Sequence, residues 1–203
     1  MKSFTKILLV IPLLIALGLA LHFEIFNNLL PFKSLNKNSV LSINTRRGSA
    51  KVWINGKDYG QTPQSISNLP DGDYLIELER ESEAEIYSKQ SFYIELHRNT
   101  EAVVDIELAP HGFKSGHILY YSPTARTLQK TGSVTIRSNA NNYEVKIDNT
   151  GMSKDDLINY RLDSGEYEVE INATGYEPLE FPIIIREGYN LNIRVYLLPI
   201  PVC

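Results

Sequence analysis

The sequence predicts an all-β protein: two small tandem β-sandwich domains preceded by one N-terminal transmembrane or signal helix. Three observations carry this expectation. From Val40 onward, apolar residues alternate with polar ones in short runs, the period of half-buried strands. Turn signals separate these runs, Asn55-Gly56 being the strongest. A pattern laid down between Leu41 and Leu108 returns between Val134 and Leu197, which marks an internal repeat. The chain divides accordingly into a signal anchor or signal peptide with its tether (1–38), a first sandwich (39–109), a linker holding a candidate strand (110–131), a second sandwich (132–199) and a tail (200–203).

Length and composition narrow the class further. At 203 residues, 43% hydrophobic and 22% charged, the chain is an ordinary folded protein rather than a disordered one. Its 20 Lys+Arg against 24 Asp+Glu leave a net charge of -4, so no basic surface for nucleic acid is implied. The one cysteine, Cys203, excludes an internal disulfide framework and a thiolate metal cluster.

Lys2 and Lys6 precede Ile7 to Leu21, 15 residues without a charge. Such a run is short for a spanning helix, for which about 20 residues are usual, and counting on through Phe23 reaches the lower limit. Two fates fit this segment. Gly18-Leu19-Ala20 supplies the small-x-small pattern of a cleaved secretory signal, whereas Phe23, Ile25, Phe26, Leu29 and Leu30 prolong the apolar helix and favour an uncleaved, single-pass signal anchor. The positive residues before the run hold the amino terminus inside, which places the bulk of the chain outside the cytoplasm, membrane-attached or secreted.

In the first repeat Leu41 and Ile43 begin the alternation, Arg46-Arg47-Gly48-Ser49 turns the chain, and Lys51-Val52-Trp53-Ile54 resumes it. Asn55-Gly56 accepts the positive φ of a type I′ hairpin turn. The following Gly60-Gln61-Thr62-Pro63 reads as a corner between sheets, because Pro63 denies a ladder donor. Tyr74, Ile76 and Leu78, then Phe92, Ile94 and Leu96, then Val104, Ile106 and Leu108 alternate as core-facing strands, with the acidic Glu79 to Glu85 expected as a solvated hairpin tip. In the linker, Pro110, Gly112, Gly116 and Pro123 break the pattern, while Ile118-Leu119-Tyr120-Tyr121 suggests a strand that docks on one sandwich or bridges both.

The second repeat follows at nearly constant offset. Val134, Ile136, Val145, Ile147 and Asp148-Asn149 answer Leu41, Ile43, Val52, Ile54 and Asn55-Gly56. Leu162, Gly165, Tyr167, Ile171, Tyr176, Phe181 and Leu197 answer Leu69, Gly72, Tyr74, Leu78, Tyr87, Phe92 and Leu108. On these residues, above all Val52-Trp53-Ile54-Asn55-Gly56-Lys57, Gly60-Gln61-Thr62-Pro63, Gly165-Glu166-Tyr167 and Gly175-Tyr176, the chain resembles the PEGA domain family. The resemblance implies small β-sandwich modules of bacterial and archaeal surface proteins, a binding or spacing role in the cell envelope, and no catalytic residues. The tetrapeptide for which the family is named is replaced by Arg47-Gly48-Ser49-Ala50 in the first copy and Asn139 to Asn142 in the second, and Thr62-Pro63 gives way to Ser153-Lys154.

A search for chemistry returns little. His22, His97, His111 and His117 form no ligand pattern; His111 and His117, six apart in the Gly-rich linker, read as solvent-exposed loop residues. There is no Gly-x-Ser-x-Gly elbow, phosphate-binding Walker loop, dinucleotide fingerprint or HExxH pair. Asp71-Gly72-Asp73 and Asp155-Asp156 lack EF-hand spacing, and Asn172-Ala173-Thr174 is a glycosylation sequon only in a suitable host. No catalytic residue, cofactor or metal is therefore expected. Among the aromatics, Trp53, Tyr59, Tyr87, Tyr93, Tyr120, Tyr121 and Tyr176 are available to form a face for sugar rings or a protein partner, and Trp53 alternates against Val52 and Ile54, away from the core. Trp53, Tyr59, Tyr120, Tyr121 and Tyr176 are the candidate recognition residues.

The expected protein is a non-catalytic, membrane-anchored, extracytoplasmic interaction or spacer unit of the cell envelope. Its partners are the membrane, through the N-terminal helix, and an envelope protein or glycan. The competing expectations are an accessory fragment of a larger envelope enzyme, suggested by Pro199 and Pro201 near the carboxyl end, and a carbohydrate-binding module.

Overall fold

The structure, a computed structural model, describes residues 39–80, 82, 86–124, 130–153 and 157–201. The expected N-terminal helix, His22, Asp155-Asp156, Cys203 and part of the acidic tip lie outside these residues. No helix among the described residues is long and apolar enough to cross a membrane.

Each repeat folds into seven strands that close on a core of their alternating apolar residues. The first comprises β1 (Ser39–Asn44), β2 (Lys51–Ile54), β3 (Lys57–Gln61), β4 (Gln64–Leu69), β5 (Gly72–Glu79), β6 (Gln90–Leu96) and β7 (Glu101–Leu108). Strand β8 (Lys114–Pro123) follows after a single 3-10 turn at Pro110–Gly112. The second repeat comprises β9 (Thr131–Ser138), β10 (Glu144–Ile147), β11 (Thr150–Met152), β12 (Tyr160–Asp163), β13 (Gly165–Asn172), β14 (Leu179–Ile185) and β15 (Tyr189–Tyr196). In each copy four strands form a sheet of their own, in the order β3-β2-β5-β6 or β11-β10-β13-β14. The other three join a common seven-stranded sheet, in the order β12-β9-β15-β8-β7-β1-β4.

Local chemistry explains why the repeats close alike. Asn55 and Gly56 adopt φ of 50° and 77°, and Asp148 and Asn149 adopt 46° and 63°, so both hairpins turn as predicted despite different residues. In each, the side chain of the first turn residue pins the next strand: Asn55 Oδ1 accepts from the Leu75 N–H at 2.8 Å, and Asp148 Oδ1 from the Glu168 N–H at 2.9 Å. Tyr74 donates its hydroxyl to the Pro70 carbonyl at 2.7 Å, and Tyr167 to the Asp163 carbonyl at 3.0 Å, anchoring the start of β5 and of β13 in the same way. The predicted corner at Thr62-Pro63 does carry the chain from one sheet to the other, and Thr62 is its joint. Thr62 exchanges hydrogen bonds with Ala50, donating its N–H at 2.8 Å and accepting the Ala50 N–H on its hydroxyl at 3.0 Å.

The candidate strand of the linker, expected to dock on one sandwich or to bridge both, is β8, and it bridges them as the central strand of the shared sheet. β8 pairs antiparallel with β7 on one side and with β15 on the other. Strands β7 and β15 therefore run parallel, strand order is mirrored about β8, and the copies are related by a half-turn about the strand direction. A half-turn of that kind places the two four-stranded sheets on opposite faces of the common sheet. The alternation of β8 matches this placement: Ile118 and Tyr120 pack into the first core, and His117, Leu119 and Tyr121 into the second. A short apolar run inside a Gly- and Pro-marked segment reads as a linker because a strand buried on both faces has no polar alternation.

Two residues expected in a loop become part of this spine. Gly116 has φ of +128°, and a Cβ placed there would lie 2.0 Å from the Asp105 carbonyl oxygen, so β7 and β8 approach too closely for any side chain. His117, expected to be exposed, is only 7% accessible and stacks on Phe181 with ring centroids 4.1 Å apart. Its Nδ1 is buried without a hydrogen-bond partner. Burial pushes the imidazole pKa down to about 4, the adjacent Asp105 offsetting this in part and Arg46 adding to it.

Two predictions follow from the β8 geometry. His117 is neutral in the fold but protonates near its ordinary value of 6.5 when unfolded, so its contribution is intact above that pH and is lost as pH falls toward about 4. Relative to a His117→Phe variant, which keeps the aromatic stack, the wild type loses on the order of 3 kcal/mol over that window, as measured by urea unfolding across pH. Gly116→Ala costs more than about 3 kcal/mol, whereas Gly56→Ala, at a positive φ with open space, costs about 1 kcal/mol; chemical denaturation of the pair checks the order.

Candidate functional site

The outward face of the first four-stranded sheet carries the most distinctive side chains. On β2, Val52 and Ile54 fill the core, which leaves Trp53 on the opposite face, half-buried, in register with Glu77 on β5. One row along, Leu75 on β5 faces outward beside Tyr93 on β6, and Tyr93 is 65% exposed. Two ammonium groups flank the indole, Lys89 Nζ at 4.3 Å and Lys51 Nζ at 4.9 Å from the ring. Each lysine is itself held by a carboxylate, Glu77 at 3.0 Å from Lys89 and Asp58 at 3.3 Å from Lys51. The Gly60 N–H, more than Lys51, holds the Asp58 carboxyl below its ordinary pKa. An apolar and aromatic strip thus lies inside a rim of paired charges.

The second copy provides an internal comparison. At the same register positions it has Lys146 for Trp53, Glu168 for Leu75 and Pro182 for Tyr93, with Glu170 for Glu77. Both copies bury equivalent apolar residues, so neither Trp53 nor Tyr93 is required to build the module. Sequence reasoning reached Trp53 by alternation and counted Tyr93 only among the general aromatics. Comparing outward positions of the two repeats is the signal that singles out Leu75 and Tyr93.

The remaining candidates do not join this face. Tyr59, on edge strand β3, packs toward the first core with Lys57 Nζ 5.2 Å from its ring. Tyr120 lies on the common sheet beside the first core. Tyr121 is corrected outright: it is 6% exposed, its ring fills the second core, and its hydroxyl donates to the Ile184 carbonyl at 2.6 Å. Tyr176 pairs with Pro199 and lines a cavity of about 260 Å³ with Phe113, Lys114 and Tyr196. Lys114 is already engaged there, donating to Gln90 Oε1 at 2.6 Å with Nζ 5.0 Å from the Tyr196 ring, and burial lowers its pKa. Among the described residues no group of three or more His, Cys, Asp or Glu is placed to hold a metal ion.

No curated protein matches the chain. The family model of the PEGA domain matches it twice, over residues 38–111 and 131–200, and these are the two halves whose strands meet on β8. The chain belongs to the PEGA domain family.

Proposed function

We propose that this protein is a non-catalytic, membrane-anchored unit of the cell envelope whose PEGA tandem stands outside the cytoplasm and serves as an interaction or spacer module. The observation that carries this reading is the Trp53, Leu75 and Tyr93 strip, present on one copy and replaced by Lys146, Glu168 and Pro182 on the other. An aromatic strip that the module does not need for its core, framed by charges, has the anatomy of a recognition surface: an apolar centre that excludes water and a polar rim that sets orientation. The shared sheet supports the spacer role. Two sandwiches fused through a common strand do not pivot about a linker, so a surface on one copy keeps a set orientation relative to the other. Residues 1–38 supply the anchor in this reading, with Lys2 and Lys6 on the inner side.

Replacing the strip by its counterpart in the second copy, Trp53→Lys with Tyr93→Pro, changes an edge-strand backbone as well as the surface, so Trp53→Lys with Tyr93→Ser is the cleaner pair. This double variant keeps the melting temperature within a few degrees and loses at least about tenfold in cosedimentation with purified envelope fragments, as expected when aromatic anchors are removed. Undiminished sedimentation would sink the assignment of the strip. Protease added to intact cells should digest the chain beyond residue 40; protection until lysis would refute the extracytoplasmic placement.

A further inference from the structure

On the common sheet, beyond the edge of β6, three rows of side chains run across β8, β15 and β9. The register aligns Ser122, Asn190 and Ser133 in one row, Tyr120, Asn192 and Thr135 in the next, and Ile118, Arg194 and Arg137 in the third. The first two rows form a satisfied polar floor. Asn190 Oδ1 accepts from Ser133 at 2.9 Å, Asn190 Nδ2 donates to Asn192 Oδ1 at 3.0 Å, and Asn192 Nδ2 donates to Ser122 Oγ at 2.9 Å. The third row is electrostatically unbalanced. Arg194 and Arg137 are direct neighbours on parallel strands, which lie about 4.8 Å apart.

Like charges side by side on a sheet are unfavourable. Among the described residues neither arginine forms an ion pair with a carboxylate, and the Arg137 guanidinium donates no hydrogen bond. This stands out in a chain with more acids than bases. Arg194 is held in place: its Nη2 donates to the Tyr93 carbonyl on the free edge of β6, and its guanidinium carbon lies 5.4 Å from the Tyr120 ring. The two arginines line a hollow of about 170 Å³ with Tyr120, Thr135, Asn192 and Ile193. The first copy shows that the fold does not demand this pair. Its equivalent positions, aligned in the same register, are Asp105 and Asn44, and there Asp105 is neutralised by Arg46 at 3.4 Å.

We infer that this hollow on the β8-β15-β9 face, beside the edge of β6, is a binding site for a phosphomonoester group, with Arg137 and Arg194 as its ligands. Two guanidinium forks match a tetrahedral dianion in both charge and donor number, whereas a single carboxylate would leave one positive charge unbalanced. Arg194, fixed by Tyr93 and Tyr120, is the positioned half of the clamp; Arg137 is the free half that closes on the ligand. The site meets the Trp53 strip only at the Tyr93 backbone carbonyl, which side-chain replacement keeps, and does not depend on membrane anchoring, so either proposal can fail alone.

Isothermal titration of the full chain at about pH 7.5, where a phosphomonoester is mostly dianionic, tests the site with inorganic phosphate, glycerol phosphate and acetate at equal ionic strength. Both phosphates should bind saturably at one site, glycerol phosphate at least as tightly as inorganic phosphate, and acetate at least about tenfold more weakly. Arg137→Gln should weaken glycerol phosphate by at least about tenfold, while its melting temperature without phosphate stays equal to or above that of the wild type, because a repulsive neighbour has been removed. Lys57→Gln, exposed on β3 at the edge of its sheet opposite β6, should bind as the wild type does. The inference is overturned by absence of saturable phosphate binding, by binding of inorganic phosphate alone, by acetate binding as tightly as the phosphates, or by an equal loss in the Lys57→Gln control.

Discussion

Everything in this molecule depends on a strand that must satisfy two cores at once. β8 is bonded on both edges and packed on both faces, so each of its side chains has a neighbourhood supplied by one copy or the other. Ile118 is fully buried against the first core, and truncating a buried isoleucine of this kind removes about 2–5 kcal/mol. Its neighbours His117 and Leu119 answer to the second core. Each copy alone is near the size at which a hydrophobic core becomes marginal, and sharing a strand adds buried surface to both without lengthening either. The need for close approach explains Gly116, and the need for a flat ring against Phe181 suits His117, even though its Nδ1 goes unsatisfied.

The duplication was legible in the sequence because it rests on features that survive residue replacement. A type I′ turn asks only for positive φ, which Asn55-Gly56 and Asp148-Asn149 both meet. The core asks only for alternating apolar residues, which Val52 and Ile54 supply as well as Val145 and Ile147. The outward direction of Trp53 followed from the same alternation. The strand of β8 was legible too, but the choice between docking on one sandwich and bridging both stayed open for a related reason. Alternation reports a strand with one wet face, and β8 has none; its glycine and flanking prolines signal a break in the chain, while the pairing that makes it central is formed with β15, about seventy residues further on. Tyr121 was misplaced on the same account, since a tyrosine in a supposed linker is presumed wet. The arginine pair was invisible in one dimension because Arg137 and Arg194 become neighbours only through the parallel β9-β15 register.

Because one fold is built twice within a single chain, each copy serves as a reference for the other. Where both carry the same device, such as the tyrosine hydroxyls of Tyr74 and Tyr167 bonded to a carbonyl four residues back, the fold explains it. Where they differ on a solvent face, packing does not explain it. Trp53 against Lys146 and Arg194 against Asp105 are the two clearest differences, and they lie on different sheets. The copies have therefore diverged at their surfaces while preserving the interior.

The half-turn about β8 has one more consequence. The outward faces of the two four-stranded sheets look in opposite directions, one bearing Trp53, Leu75 and Tyr93, the other Lys146, Glu168 and Glu170 with Glu180 beside them. The tandem is thus two-sided, aromatic on one face and hydrated and acidic on the other, so its two outward faces offer opposite chemistry to their surroundings.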